Sequence, residues 1–308
     1  MANRSSGKKS NDGDADARTC PRRRGFHALD VPAENRSFSL IGKTALITGA
    51  GGGIGRATAL RFAAAGAELL LHANRSRTAV ESVAEELRGH GRTVGTWFGD
   101  LSRREQCETL IADIARSGRG TDIFVHAVGL DVMDEPVSSL PFAERLERLW
   151  RTDVVSAVTL ARAFGEQMRS RGGGRIVLFG WNETGEGLGI PGDTAQLYAA
   201  AKGAVVAFMR SLAESLAPQV RVNAISPGWI RTRWGAGASA PMDERARAAS
   251  LSGRWGIPEE VAEAALFLVS DEAAFINKQN LKLDGGRRSR FDAVDEACKP
   301  HGDTIPGS

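Results

Sequence analysis

From about residue 43 to residue 283, short apolar runs alternate with stretches of helical spacing. Thr44-Ala-Leu-Ile-Thr48 is a β-like run that meets a glycine cluster, and helical spacing follows from about Ile54 to Ala65. Glu68-Leu-Leu-Leu-His72 reads as a second buried strand, Thr78 to Arg88 as an amphipathic helix and Arg92 to Phe98 as a third strand. Further strands are predicted over Asp122–His126, Arg175–Phe179, Val220–Ile225 and Asn280–Leu283. Helices are predicted over Glu105–Arg116, Phe142–Arg169, Gln196–Leu216 and Glu259–Val269. Near-continuous apolar strands separated by helices require parallel pairing, with both sheet faces covered. The expected fold is therefore α/β and doubly wound, a seven-stranded parallel sheet with helices on both faces.

The pattern also sets the domain limits. Residues 1–39 are polar, rich in Gly, Ser, Asp and Arg, and aperiodic, so they read as a disordered N-terminal tail. Residues 40–286 form a single domain, and 287–308 revert to a polar C-terminal tail. A net charge of +3 is too mild for a nucleic-acid partner. No run reaches the ~18–20 apolar residues that span a bilayer, and the N-terminus lacks a secretory core. Cys20, Cys107 and Cys298 are too sparse for a disulfide framework or zinc site, so no metal is expected and a reducing cytoplasm is the simplest location.

The chemistry begins at Thr48-Gly49-Ala50-Gly51-Gly52-Gly53-Ile54-Gly55, between the first strand and first helix. A dinucleotide pyrophosphate needs free N–H groups at a helix N-terminus and a backbone bare enough for close approach. The Lys-Ser/Thr of a nucleotide-hydrolysing phosphate loop is missing. The second signal is Tyr198-Ala-Ala-Ala-Lys202, whose spacing puts both side chains on one helix face. An ammonium beside a phenol stabilises phenolate and lowers the Tyr pKa, so Tyr198 would exchange a proton with a carbonyl oxygen as hydride moves to or from its carbon. Tyr198 is the only tyrosine in 308 residues.

Together the spacing Gly49-x-x-x-Gly53-x-Gly55 and the Tyr198/Lys202 pair resemble the short-chain dehydrogenases/reductases, in particular 3-oxoacyl-acyl-carrier-protein reductases, over about residues 40–286. The resemblance implies a Rossmann fold and a nicotinamide cofactor. It places Gly49, Gly51, Gly53, Ile54 and Gly55 on the cofactor phosphates, and Asp100-Leu101 on the adenine. Gly129 would border the cofactor, with Pro227, Gly228, Ile230 and Thr232 near the nicotinamide. Tyr198 would be the acid/base, and Lys202 would contact the ribose and tune the phenol. After the second strand, Asn74-Arg75 replaces the acidic residue usual in NAD enzymes, and Arg75 would pair with a 2′-phosphate. NADP is therefore the preferred cofactor, with NAD as the alternative. Asp100 has a competing role as a helix N-cap.

Three positions depart from the family pattern. Trp181 falls in the slot of the substrate-polarising Ser, leaving Asn182 or Thr184 to replace it. Asp153 stands where the family has Asn and would hold a relay water near Lys202. His126-Ala-Val-Gly129 replaces Asn-Asn-Ala-Gly, with His126 read as structural. Trp229, Trp234 and Trp255, with a flexible Gly235–Ser239 run, would form a substrate lid or else serve as core or subunit-contact residues; on the lid reading the substrate side comprises Trp181, Asn182, Trp229 and Trp234. The implied partners are a small carbonyl or alcohol substrate and a second copy of the chain. A homodimer or homotetramer would form through the long helices, including the face Ala199, Gly203, Val206 and Arg210. The competing function is a catalytically weak NADP-binding sensor or scaffold.

Overall fold

The computed structural model describes residues 38–182 and 192–287, apart from the side chain of Trp234. Residues 1–37 and 288–308 of the tails lie outside these residues, as do Thr184, Cys20 and Cys298. Seven parallel strands form one sheet in the order β3-β2-β1-β4-β5-β6-β7. They are β1 (Thr44–Thr48), β2 (Glu68–Ala73), β3 (Val94–Phe98), β4 (Ile123–His126), β5 (Gly174–Phe179), β6 (Val220–Pro227) and β7 (Asn280–Leu283). The helices between them are α1 (Gly53–Ala64), α2 (Arg77–Gly89), α3 (Arg104–Arg116), α4 (Phe142–Leu149), α5 (Ser156–Ser170) and α6 (Asp193–Leu216). The short α7 (Arg233–Ala236), α8 (Ala240–Ala248) and α9 (Pro258–Val269) precede β7. This is the doubly wound Rossmann architecture predicted from the apolar runs.

Alternation along each strand divides the core into two layers. Leu46 and Phe124 face α5 and α6, where Phe164 and Met209 complete one cluster. Ile47 and Ile123 face the other way, with Phe62 of α1 and Leu266 of α9. β1 and β4 are buried throughout, whereas the edge strands β3 and β7 are only partly covered. Phe38 packs edge-on against Phe267, and Leu40 is buried.

Two features position the site. Thr48 of β1 is in register with both His72 of β2 and His126 of β4, so the carboxyl ends of the central strands reach one level. β1 lies between β2 and β4, where the chain reverses its winding direction, and ligands bind in the crevice at such a switch point. The predicted long helix over 142–169 is divided, because residues Trp150–Val155 between α4 and α5 adopt π-helical winding. Such a segment shifts the helix face, and here Asp153 is turned inward and buried.

Candidate active site

The glycine loop is built by close approach. Gly49 has φ +73°, and a Cβ there would lie 2.5 Å from the Ala127 carbonyl oxygen. At Gly55 a Cβ would strike the Gly49 carbonyl, so α1 can reach the loop only without side chains at either residue. Gly52 differs: a Cβ there would meet nothing within 4 Å and would point into open space. No side chain caps α1 and its first turn carries no acid. Its leading N–H groups are thus left for an anion, with the helix dipole behind them. Bare backbone, open space and an uncapped helix end fit a dinucleotide pyrophosphate. A Cβ on Gly53 would lie 3.2 Å from Thr232 Cγ2, so the segment after β6 borders the same cradle.

His72 is a site residue that sequence reasoning missed. It is buried and ties three elements together: its Nε2 lies 2.9 Å from the Gly99 carbonyl, and its Nδ1 accepts from Gly49 N–H at 3.4 Å. That pattern requires a neutral ring, and burial holds its pKa down to about 4. Beyond β2, Asn74 and Arg75 are exposed, while Ser76 abuts Gly51. The Arg77 guanidinium lies 4.2 Å over the Phe98 ring. Asp100 does not cap α3. Its Oδ1 accepts from Ser102 N–H at 3.1 Å and Ser102 Oγ at 2.7 Å, and the α3 N-cap is Arg103. The Leu101 side chain is buried in the core, which leaves only its backbone to face a cofactor.

A cavity of about 730 Å³ opens beside the cradle. Tyr198, Lys202 and Asp153 line it together with Ile54 and Gly129. Pro227, Gly228, Trp229, Ile230 and Thr232 form another stretch of wall, and Trp181 and Asn182 join from the end of β5. A smaller cavity of about 220 Å³ shares Trp229 and Ile230 but contains neither Tyr198 nor Lys202.

Within the larger cavity the electrostatics differ from the expectation. Lys202 Nζ lies 2.7 Å from Asp153 Oδ2, a direct ion pair where a relay water was expected. That oxygen is off the hydrogen-bond directions of the ammonium and has no other partner among the described residues. The other carboxylate oxygen, Oδ1, accepts from Leu130 N–H at 2.8 Å. The Tyr198 hydroxyl donates to the Leu130 carbonyl at 3.2 Å and accepts from Val132 N–H at 3.3 Å. Its pKa is raised, not lowered as Lys202 alone would have it. Burial is the largest cause, followed by Asp131; Val132 N–H opposes them, and Asp153 and Asp134 add to the rise. Asp131, also missed from sequence, lines the cavity two residues after Gly129.

Trp181 lines the same cavity, with its ring 6.1 Å from that of Tyr198. Asn182 is buried and points Nδ2 toward Asp284 Oδ2 at 3.4 Å. Trp255 is not a lid residue. It is buried, edge-on to Trp229 at 5.5 Å, and donates Nε1–H to Asp243 at 2.8 Å. The segment expected to be a flexible lid contains α7 and α8, and Met242 and Arg245 of α8 reach the cavity wall. His126 is fully buried between Thr48 Oγ1 and Ser156 Oγ, each 2.9 Å from a ring nitrogen, which fits a structural residue. Val206 belongs to the core and not to the outward face of α6.

Residues 49–288 match the family described as Enoyl-(Acyl carrier protein) reductase. The chain is 34% identical over 254 residues to the NAD-dependent glycerol dehydrogenase of Listeria innocua, covering 82% of this chain and 96% of that protein. It is 32% identical over 259 residues to a 3-oxoacyl-[acyl-carrier-protein] reductase of Thermotoga maritima, covering 80% and 98%. Among solved structures it resembles a 3-oxoacyl (acyl-carrier-protein) reductase of Agrobacterium tumefaciens with NADP bound, with TM-score 0.71, 31% identity, and 81% and 95% of the two chains covered. A glycine cradle at the switch point, a Tyr-Lys helix facing it and these matches lead to one assignment: the chain is an oxidoreductase and belongs to the short-chain dehydrogenase/reductase family.

Proposed function

We propose that the protein transfers a hydride between a nicotinamide dinucleotide and a small carbonyl or alcohol substrate, with Tyr198 as the acid/base. The observation that carries this reading is convergence. Tyr198 and Lys202 of α6, Ile54 of the glycine-loop helix and the Pro227–Thr232 strip all line one cavity beside an uncapped helix end. The dinucleotide supplies or takes the hydride when bound. Gly49, Gly51, Gly53 and Gly55 admit its phosphates, and Asp100 and the Leu101 backbone border the adenosine end. Lys202 and Thr232 hold the nicotinamide end. Tyr198 gives its proton to, or takes it from, the substrate oxygen.

NADP is the preferred cofactor in this reading. Asn74 and Arg75 put a cation and no acid at the end of β2, and Arg77 adds a second cation nearby. Trp181, Asn182 and Trp229 shape the substrate side, with Trp234 as a further candidate from the sequence. The glycerol dehydrogenase and acyl-carrier-protein reductases among its relatives differ widely in substrate, so the substrate is assigned here only as a carbonyl or alcohol compound. Exposed Phe142, Trp150 and Val155, with Gly203 open on α6, support self-association as a homodimer or homotetramer through α4–α6. The unpaired, buried Cys107 suits the cytoplasm.

The test is Tyr198→Phe. NADPH oxidation against a panel of ketones, aldehydes and 3-oxoacyl thioesters is expected in the unaltered protein and should fall at least about 10²-fold in the variant. NADPH binding, read by tryptophan quenching, should stay intact. Tight NADPH binding with no turnover on the whole panel would point instead to a sensor.

A further inference from the structure

The charges around Tyr198 carry a consequence for the direction of the reaction, which rests on the hydride-transfer reading above. Three carboxylates act on the phenol, and the cations Lys202 and Arg245 line the same cavity. Lys202 lies one turn along α6, Asp153 comes from the π-helical segment, and Asp131 and Asp134 come from the loop between β4 and α4. Lys202 is paired with Asp153 at 2.7 Å, while Arg233 acts on Asp131 and Arg245 reaches the cavity wall from α8. Asp153 is buried, with 1% of its side chain exposed, so solvent screens that pairing little.

The same carboxylate also holds one of the phenol's hydrogen-bond partners. Asp153 Oδ1 fixes Leu130 N–H, and the Leu130 carbonyl in turn accepts the Tyr198 proton. A chain of contacts thus runs from Lys202 through Asp153 and Leu130 to the Tyr198 hydroxyl. Its last link, the Leu130 carbonyl, favours the hydroxyl as a donor, while Val132 N–H donates to the same oxygen and opposes it. A neutral Asn at position 153 would leave Lys202 uncompensated beside the phenol, and an uncompensated cation favours phenolate.

We infer that Asp153 is a positioning residue that cancels the charge of Lys202 and keeps Tyr198 a proton donor, so that the site is set for carbonyl reduction. In that direction the substrate C=O π bond breaks. Its carbon gains a hydride from the reduced nicotinamide, which becomes oxidised, and its oxygen gains the phenolic proton. The phenolate recovers a proton from solvent once product leaves. Alcohol oxidation needs phenolate at the start and is held back until the medium is strongly alkaline. The raised pKa of the phenol, from burial and from Asp131, Asp153 and Asp134, agrees with this.

The chain offers a direct readout, because Tyr198 is its only tyrosine. Tyrosinate absorbance in the near ultraviolet, followed against pH without cofactor or substrate, titrates this one phenol. Tyr198→Phe gives the background, and far-UV circular dichroism marks where the fold is lost. The unaltered protein should show no tyrosinate below the ordinary value of about 10 while it remains folded. Asp153→Asn should lower the midpoint by at least about one unit, a tenfold gain in phenolate at fixed pH. Asp131→Asn, which leaves the ion pair in place, should lower it as well and serves if Asp153→Asn does not fold. In steady state, Asp153→Asn should move the alkaline limb of alcohol oxidation down by the same amount. A phenol that titrates below about 10 in the unaltered protein, or a midpoint unmoved in Asp153→Asn, overturns the inference. Because the titration needs no cofactor, that failure is distinct from a failure of NADPH binding or turnover, which would overturn the functional reading.

Discussion

At the residue scale, the site is decided by where a Cβ is tolerated. Gly49 and Gly55 sit against backbone and admit none, whereas Gly52 faces open space at the start of α1. Gly52→Arg should therefore fold normally and bring a guanidinium to the cradle. It should raise the preference for NADPH over NADH by about tenfold, as one charge-assisted contact to the 2′-phosphate provides. Arg75→Ala should lower that preference by a similar factor. Comparing the two dissociation constants by tryptophan quenching checks both, and equal ratios in all three proteins would remove Arg75 from the adenosine end. Gly55→Ala should instead weaken both cofactors together, because its Cβ would strike the Gly49 carbonyl. The glycine spacing was legible in the sequence because backbone clearance is a property of residue type. The roles of His72 and Asp131 were not, since a strand-end histidine and a loop aspartate are unremarkable until the fold shows their neighbours.

At the scale of elements, the segment over 229–255 is held by one carboxylate. Asp243 of α8 accepts from Arg231 Nη2 at 2.5 Å, Arg247 Nε at 2.7 Å and Trp255 Nε1 at 2.8 Å. Arg231 adjoins Ile230 and Thr232, so the same group ties α8 to the strip beside the glycine loop. Asp243→Ala should free α8 to move. We expect KM for the carbonyl substrate to rise several-fold with a smaller change in kcat, and faster amide exchange over residues 240–248. Unchanged exchange there would mean that packing, and not Asp243, holds the helix. Sequence reasoning placed tryptophans and glycines in this stretch and left open whether they form a flexible lid or belong to the core. It could not see that Trp255 is buried, because apolar residues at irregular spacing carry no signal of which side they face. The π-helical turn escaped for a related reason: the apolar period over 142–169 is helical throughout, and only the packing of Asp153 against Lys202 marks the altered winding.

For the whole molecule, two buried histidines set a pH dependence. His72 and His126 have pKa values lowered from 6.5 to about 4 and about 3, chiefly by burial. The unfolded chain binds protons on these rings below 6.5 while the folded chain does not. The stability they contribute is thus whole above about pH 6.5 and is lost as pH falls toward 4. Each ring contributes a slope of about 1.4 kcal/mol per pH unit inside that window. Denaturant unfolding at about pH 7 and about pH 5 should show the loss, and His126→Gln should flatten the dependence. An unfolding free energy that stays level across the window would show that the two rings do not govern acid stability.

The order of the strands, the parallel sheet and most of the helices followed from the sequence alone, because hydrophobic period is a local property written residue by residue; the division of the 142–169 helix and the helices over 233–248 did not. The Tyr198/Lys202 pair did follow, since its four-residue spacing fixes a shared helix face. The partners of that pair were decided only in three dimensions. The Asp153–Lys202 contact joins residues 49 positions apart, and Asp131 approaches Tyr198 from another loop, so the phenol's proton affinity depends on distances and burial that no local pattern records.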